Sequence, residues 1–195
     1  MLCKKIISLS FFVAACGYQW APECSEATRP SFMVPFAVGD EDGTLTAELI
    51  STLASSGIGT VVHKGADYRL QVEILNHNNE TIGFRRDPQK VNNKVKKNLL
   101  AIEGRKILEI EATIYRSESE EIVFGPYHLT AQADYDYVDG DSLQDLTFVS
   151  NGQLVSVLPF SLGQLEPIES AQEAAVKPIY RRLAKKIVDV ISAEW

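Results

Sequence analysis

Tyr68-Arg69-Leu70-Gln71-Val72-Glu73-Ile74 alternates apolar and polar residues at every step. A period of two puts Tyr68, Leu70, Val72 and Ile74 on one face of an extended strand and Arg69, Gln71 and Glu73 on the other, so one face is buried and one is wetter. The pattern returns twice downstream. Leu108, Ile110, Ala112 and Ile114 alternate with Glu109, Glu111 and Thr113. Tyr127, Leu129, Ala131, Ala133, Tyr135 and Tyr137 alternate with His128, Thr130, Gln132, Asp134 and Asp136. The last two strands are predicted to pair as a hairpin through Ser117 to Glu121.

Upstream, Leu45, Leu49 and Leu53 recur every four positions with Ala47, Ile50 and Ala54 beside them, which is one apolar helix face stopped by Gly57 and Gly59. Before that helix lies Phe32-Met33-Val34-Pro35-Phe36. Proline donates no ladder hydrogen bond, so this run is predicted to be a short strand at a sheet edge. Downstream, Asn151-Gly152 separates Leu146-Thr147-Phe148-Val149 from Leu154-Val155-Ser156-Val157-Leu158. Both turn positions accept positive φ, which predicts an accessory hairpin. In the closing helix Val176, Ile179, Tyr180, Leu183, Ile187, Val190 and Ile191 form a stripe, and Lys177, Arg181, Arg182, Lys185, Lys186 and Asp189 face out. Ser170 with Glu173 fits a capping box. Pro178 either kinks this helix or marks its first turn. Strands adjacent in sequence, with two helices to cover one face, argue an α+β two-layer sandwich.

The N-terminus has the order of a secretory signal: Lys4 and Lys5, then ten apolar or small residues from Ile6 to Ala15. That run is too short to span a bilayer, which takes roughly 20 apolar residues. Val13-Ala14-Ala15-Cys16 resembles the bacterial lipobox, whose cysteine is acylated (palmitate among the chains) and becomes residue one. Gly17 stands where an inner-membrane retention signal would place Asp, so the outer membrane is expected. The reading divides the chain into a signal peptide (1–15), a lipidated tether (16–30) carrying Pro22 and Pro30, and a single domain (31–195). Cys3 leaves with the signal and Cys16 goes to lipid, which strands Cys24. It is either a spare thiol in the tether or one half of an intermolecular disulfide.

The formal charge of −7 includes Lys4 and Lys5; without them 17 basic residues stand against 26 acidic ones, a net −9. That balance disfavours nonspecific binding to polyanions, and no nucleic-acid partner is expected. Enzyme chemistry finds little support. His63, His77 and His128 have no metal-ligand spacing, no G-x-S-x-G motif occurs, and neither a metal nor another cofactor is expected. Asp134, Asp136, Asp139 and Asp141 lie near a turn, but Val138 and Gly140 break the spacing of a calcium loop.

One segment opposes the rest. Between residues 85 and 106, Arg85, Arg86, Lys90, Lys94, Lys96, Lys97, Arg105 and Lys106 face only Asp87 and Glu103, a net +6. The segment joins two strands as a loop or a long hairpin tip. It is either a solvated face or an anion site, since Lys and Arg supply point charges and bidentate forks to phosphate and carboxylate.

Taken in order, Cys16-Gly17-Tyr18, the strand and helix of Phe32 to Ser55, Ala66-Asp67-Tyr68-Arg69-Leu70-Gln71-Val72-Glu73-Ile74-Leu75, the strand Leu108 to Tyr115, the stretch Ala131 to Tyr137 and the closing helix resemble the lipopolysaccharide (LPS) assembly lipoprotein family LptE. The resemblance implies two helices on a mostly antiparallel four-stranded sheet. It further implies a non-catalytic plug inside the LPS-translocon barrel protein LptD, one that supports assembly of the barrel and contacts LPS. Basic residues near one sheet end are implied in that contact, a role the 85–106 cluster fits. Residues 138–168 are longer than the family pattern. The competing reading is a lipid-anchored periplasmic scaffold unrelated to LPS, separable by the partner that co-purifies.

Overall fold

A computed structural model describes residues 29–91, 94–138, 147–156 and 168–194. In chain order the elements are β1 (Ser31–Met33), α1 (Thr44–Ser56), β2 (Thr60–Val61), β3 (Tyr68–Val91), β4 (Lys94–Arg116), β5 (Ile122–Asp136), β6 (Thr147–Ser150), β7 (Gln153–Ser156), α2 (Ile168–Ala174) and α3 (Val176–Glu194). The fold is α+β, with helices packed on one face of a five-stranded sheet of order β2-β1-β3-β4-β5.

The sheet corrects the expectation of four mostly antiparallel strands. β3, β4 and β5 are antiparallel, whereas β1 runs parallel to both β2 and β3, so the sheet is mixed. β2 is two residues long, too short to show a period. It is parallel because the chain crosses over through α1 before returning. β1 is likewise not at an edge. Pro30 and Pro35 flank the three-residue strand without entering it, and their positions leave its ladder donors intact. The main-chain N–H groups of Thr60 and Val62 donate to the carbonyls of Pro30 (3.0 Å) and Phe32 (2.9 Å).

The period-two stretches bury the faces they predict. Leu70, Val72, Leu108, Ile110, Ala112, Ile114, Ala131 and Ala133 all turn toward the helices and are buried. Leu45, Leu49 and Leu53 from α1 and Ile179, Leu183, Ile187 and Ile191 from α3 close the core from above. Ala47 and Ala54 lie outside it: both are exposed, so the buried stripe of α1 is narrower than its apolar residues suggest.

Asp40 starts α1, although it lies three residues before the N-cap Gly43. Buried to 1% exposure, its carboxylate accepts hydrogen bonds from the main-chain N–H of Leu45 (3.2 Å) and Thr46 (2.8 Å) and from the Thr46 hydroxyl (2.6 Å). The Thr46 oxygen in turn accepts from the N–H of Ala37 (3.0 Å). These bonds satisfy helix donors that would otherwise be orphaned, and they tie the loop after β1 to the helix. Gly57 ends α1 with φ 74°, a left-handed conformation that glycine adopts without a Cβ penalty.

The closing helix is divided. α2 ends at Ala174 and α3 begins at Val176, so Pro178 falls in the first turn of α3, where its missing N–H costs nothing. Ser170 is the third residue of α2 and caps no helix start, which overturns the capping-box reading. The accessory hairpin is present. β6 and β7 pair around Asn151 (φ 52°) and Gly152 (φ 79°), the positive values that a two-residue turn needs.

Candidate functional site

β3 and β4 form an antiparallel ribbon of 24 and 23 residues, pairing from Tyr68↔Arg116 to Val91↔Lys94. The basic segment is therefore mostly strand, the far half of a long hairpin. β5 accompanies β4 only as far as Glu103↔Asp136. α2 reaches the same level, where Gln172 donates to the Tyr135 hydroxyl at 3.2 Å. Past that row the ribbon is an arm of two strands with no described helix over it, and register shifts at Ile74/Asn76 and Thr81/Gly83 before the row and at Gly83/Phe84 at the arm's root bend the ladder.

The structure separates the eight basic candidates into groups. Arg85 lies opposite Leu100 and Arg86 opposite Leu99 on the arm; Arg86 is exposed and Arg85 half-buried. Lys90, Lys94, Lys96 and Lys97 face Val95, Val91, Gln89 and Pro88 in the ladder, and their side chains lie outside the described residues. Arg105 sits closer to the body and binds Asp134 on β5 with two hydrogen bonds, Nε to Oδ1 at 2.6 Å and Nη2 to Oδ2 at 3.0 Å. The bond to Arg105 holds the Asp134 carboxyl below the usual range and raises the guanidinium above its own. Half-buried Lys106 pairs with Asn79 and Ala133 on the opposite sheet face. The cationic site is thus the outer arm, with Arg105 already neutralised by its neighbour.

The uncovered face of the sheet has the reverse sign. Glu73 lies directly opposite Glu111, whose carboxylate is 3.6 Å from His128 Nε2. Glu109 and Asp136 stand on the same face by register. A basic arm therefore projects from an acidic sheet.

A second feature was only half legible in sequence. Arg182 and Lys186 do point away from the core as expected, but they fold back onto the sheet edge. Arg182 Nη1 donates to the main-chain carbonyl of Gln132, and Lys186 Nζ to that of Thr130 at 2.6 Å. With Lys185 and Asp189 they line a groove of about 500 Å³ between α3 and β5. Their spacing of four is the signal that both reach one side of the helix. Nothing in the sequence says which strand they meet.

Cys16, Cys24 and the signal reading fall on residues 1–28, outside the described residues, as do 139–146 and 157–167 within the long insertion. Among the described residues no three His, Cys, Asp or Glu side chains gather as a metal site. No described helix is long and apolar enough to cross a membrane, which says nothing of strands.

Fold and site together define a one-sided α+β module whose distinguishing parts are charged surfaces, a bonded sheet edge and a projecting ribbon. A family model described as LptE, lipopolysaccharide-assembly, matches residues 33–191. The chain belongs to that family, and its role lies in lipopolysaccharide assembly. Among curated proteins no sequence matches it significantly. Similar solved structures include a minor lipoprotein from Acinetobacter baumannii (15% identity, 85% of this chain and 92% of that one, TM-score 0.46). Another is a putative lipoprotein from Caulobacter crescentus (13%, 83% and 88%, 0.47). A third is the rare lipoprotein B from Shewanella oneidensis (14%, 84% and 95%, 0.41). Likenesses at this level fix neither ligand nor partner.

Proposed function

We propose that this chain is an outer-membrane lipoprotein, acylated on Cys16 after removal of residues 1–15, that seats in the LPS-translocon barrel LptD, supports its assembly and contacts LPS in transit. It does so without catalysis, through the domain beginning at residue 31. The observation that carries the LPS contact is the arm: six cations against one acid, Asp87, in residues 85–97, in a mature chain of net −9. The phosphates of LPS are strong acceptors for such groups. Two or more acyl chains on Cys16 provide an anchor that one chain does not.

The test is capture of the full-length lipoprotein from native membranes in mild detergent, with identification of its stoichiometric partner. A co-purifying barrel protein is expected. A stoichiometric periplasmic partner with no barrel protein would overturn the reading in favour of a scaffold. Cys16→Ala should also leave an unprocessed precursor that incorporates no labelled fatty acid.

A further inference from the structure

The arm carries more than charge. Two of the eight large apolar side chains exposed among the described residues lie on it, Phe84 (57%) and Leu99 (63%). Neither belongs to the core or packs against it. Register sets the geometry near the end. Phe84 is opposite Ala101 and Arg86 opposite Leu99. Directly opposed residues of an antiparallel pair share a face, as do positions two apart. Phe84, Arg86, Leu99 and Ala101 therefore form a single patch, apolar with a cation in it. Removing Phe and Leu from water is favourable, so leaving both exposed on a ribbon calls for a partner that covers them.

We infer that this patch is a lipid-inserting element, taking the acyl chains of an anionic lipid at a bilayer surface while Arg86 and the neighbouring cations take its headgroups. Charge selects the occupant. The patch sits in residues 84–101, which carry six cations against one acid, a net +5, and basic residues beside exposed apolar ones fit an interface where anionic headgroups overlie acyl chains. An acidic protein surface would satisfy the cations but leave Phe84 and Leu99 uncovered. Position adds a direction. Phe32 of β1 pairs with Tyr68, at the opposite end of β3 from Val91. At roughly 3.3 Å per residue the strand carries its tip at most about 75 Å from that row. Lipid is therefore met on the side away from the chain's entry into the domain. This inference shares the arm with the LPS contact proposed above but does not need LPS.

Full-length protein held in phosphatidylcholine nanodiscs is mixed with phosphatidylglycerol vesicles whose acyl chains carry a photoreactive group, and cross-linked tryptic peptides are identified. Label is expected in the peptide running from Asn98 to Arg105. It should fall at least tenfold in Phe84→Ser/Leu99→Ser, whose circular dichroism should match the parent. Arg86→Gln should reduce the preference for phosphatidylglycerol over phosphatidylcholine vesicles. Equal labelling of parent and double variant would overturn the inference, as would a parent that takes no label. LPS capture measured on the same preparation shows whether the LPS reading has failed with it.

Discussion

Arg182, on the outer side of α3, donates from Nη1 to the main-chain carbonyl of Gln132 on β5. One helical turn later Lys186 does the same to Thr130. β5 is the last strand of the sheet, and both carbonyls point away from β4. An open edge of this kind is a template for another strand, and charged side chains laid across it are one way to block pairing. Arg182→Gln combined with Lys186→Gln should raise the apparent mass in light scattering, relative to the parent at equal concentration. Adding Thr130→Pro should reverse the change, because the N–H at that position also points outward and its loss breaks no bond to β4. An unchanged mass in the double variant would refute the edge-blocking role.

Leu183 is fully buried under the sheet, with Ile179 and Ile187 a turn to either side. Leu183→Ala should destabilise the fold by roughly 2–5 kcal/mol, the lost transfer energy plus the cavity left behind. Ala47→Ser, on the exposed side of α1, should stay within about 0.5 kcal/mol of the parent. Denaturant unfolding of the two variants checks both, and similar costs would mean that the helix layer is packed differently.

Asp67 fastens the start of β1 to the entry of β3. Its Oδ2 accepts from the Ser31 hydroxyl (2.6 Å) and the Ser31 N–H (2.9 Å), and these bonds, the hydroxyl's first, hold its carboxyl below the usual value. A depressed folded-state pKa means stability that is present above the unfolded value and is lost as pH falls through the folded one. Acid unfolding below about pH 4 should therefore be steeper in the parent than in Ser31→Ala. Superimposable acid profiles would remove this link from the account.

Tyr180 gives the alkaline counterpart. Burial first, and then the negative charges of Asp40, Asp42 and Glu41, push its hydroxyl up to about 12. A raised folded-state pKa contributes stability that is complete below the unfolded value near 10 and is lost as pH rises from there toward about 12. Tyr180→Phe should flatten the fall in thermal midpoint over that window. An identical fall in the variant would assign alkaline unfolding to other groups.

The LPS contact is tested on the arm. Reversing Arg85, Arg86, Lys94, Lys96 and Lys97 to Glu should abolish LPS binding by the detergent-solubilised protein while leaving its circular dichroism unchanged, since the arm stands outside the core. Parent binding should weaken with salt, as the Debye length shrinks from about 10 Å at 0.1 M to about 3 Å at 1 M. Equal affinity of parent and variant across the salt series would return the arm to a solvated surface.

Local sequence determined whatever a buried face imprints on its own strand or helix. The alternations around Leu70, Leu108 and Ala131 and the stripe through Ile179 and Leu183 exist because core contact repeats every two or 3.6 residues. Asn151-Gly152 was legible for a related reason, since its turn is set by two residues' own backbone freedom. The rest depended on partners that the local pattern cannot name. Past Gly83 and Glu103 no described helix covers the ribbon, so no period survives to mark residues 84–102 as strand. β2 is too short to carry a period, and the parallel neighbours of β1 follow from the crossover through α1. Arg105 with Asp134, and Arg182 with Gln132, join residues 29 and 50 positions apart. Only the register of β4 against β5 and the seating of α3 over that edge bring them together. Side-chain spacing reports that a face is buried; which charges are neutralised, and which remain on the arm, is decided by what the finished fold places within hydrogen-bonding reach.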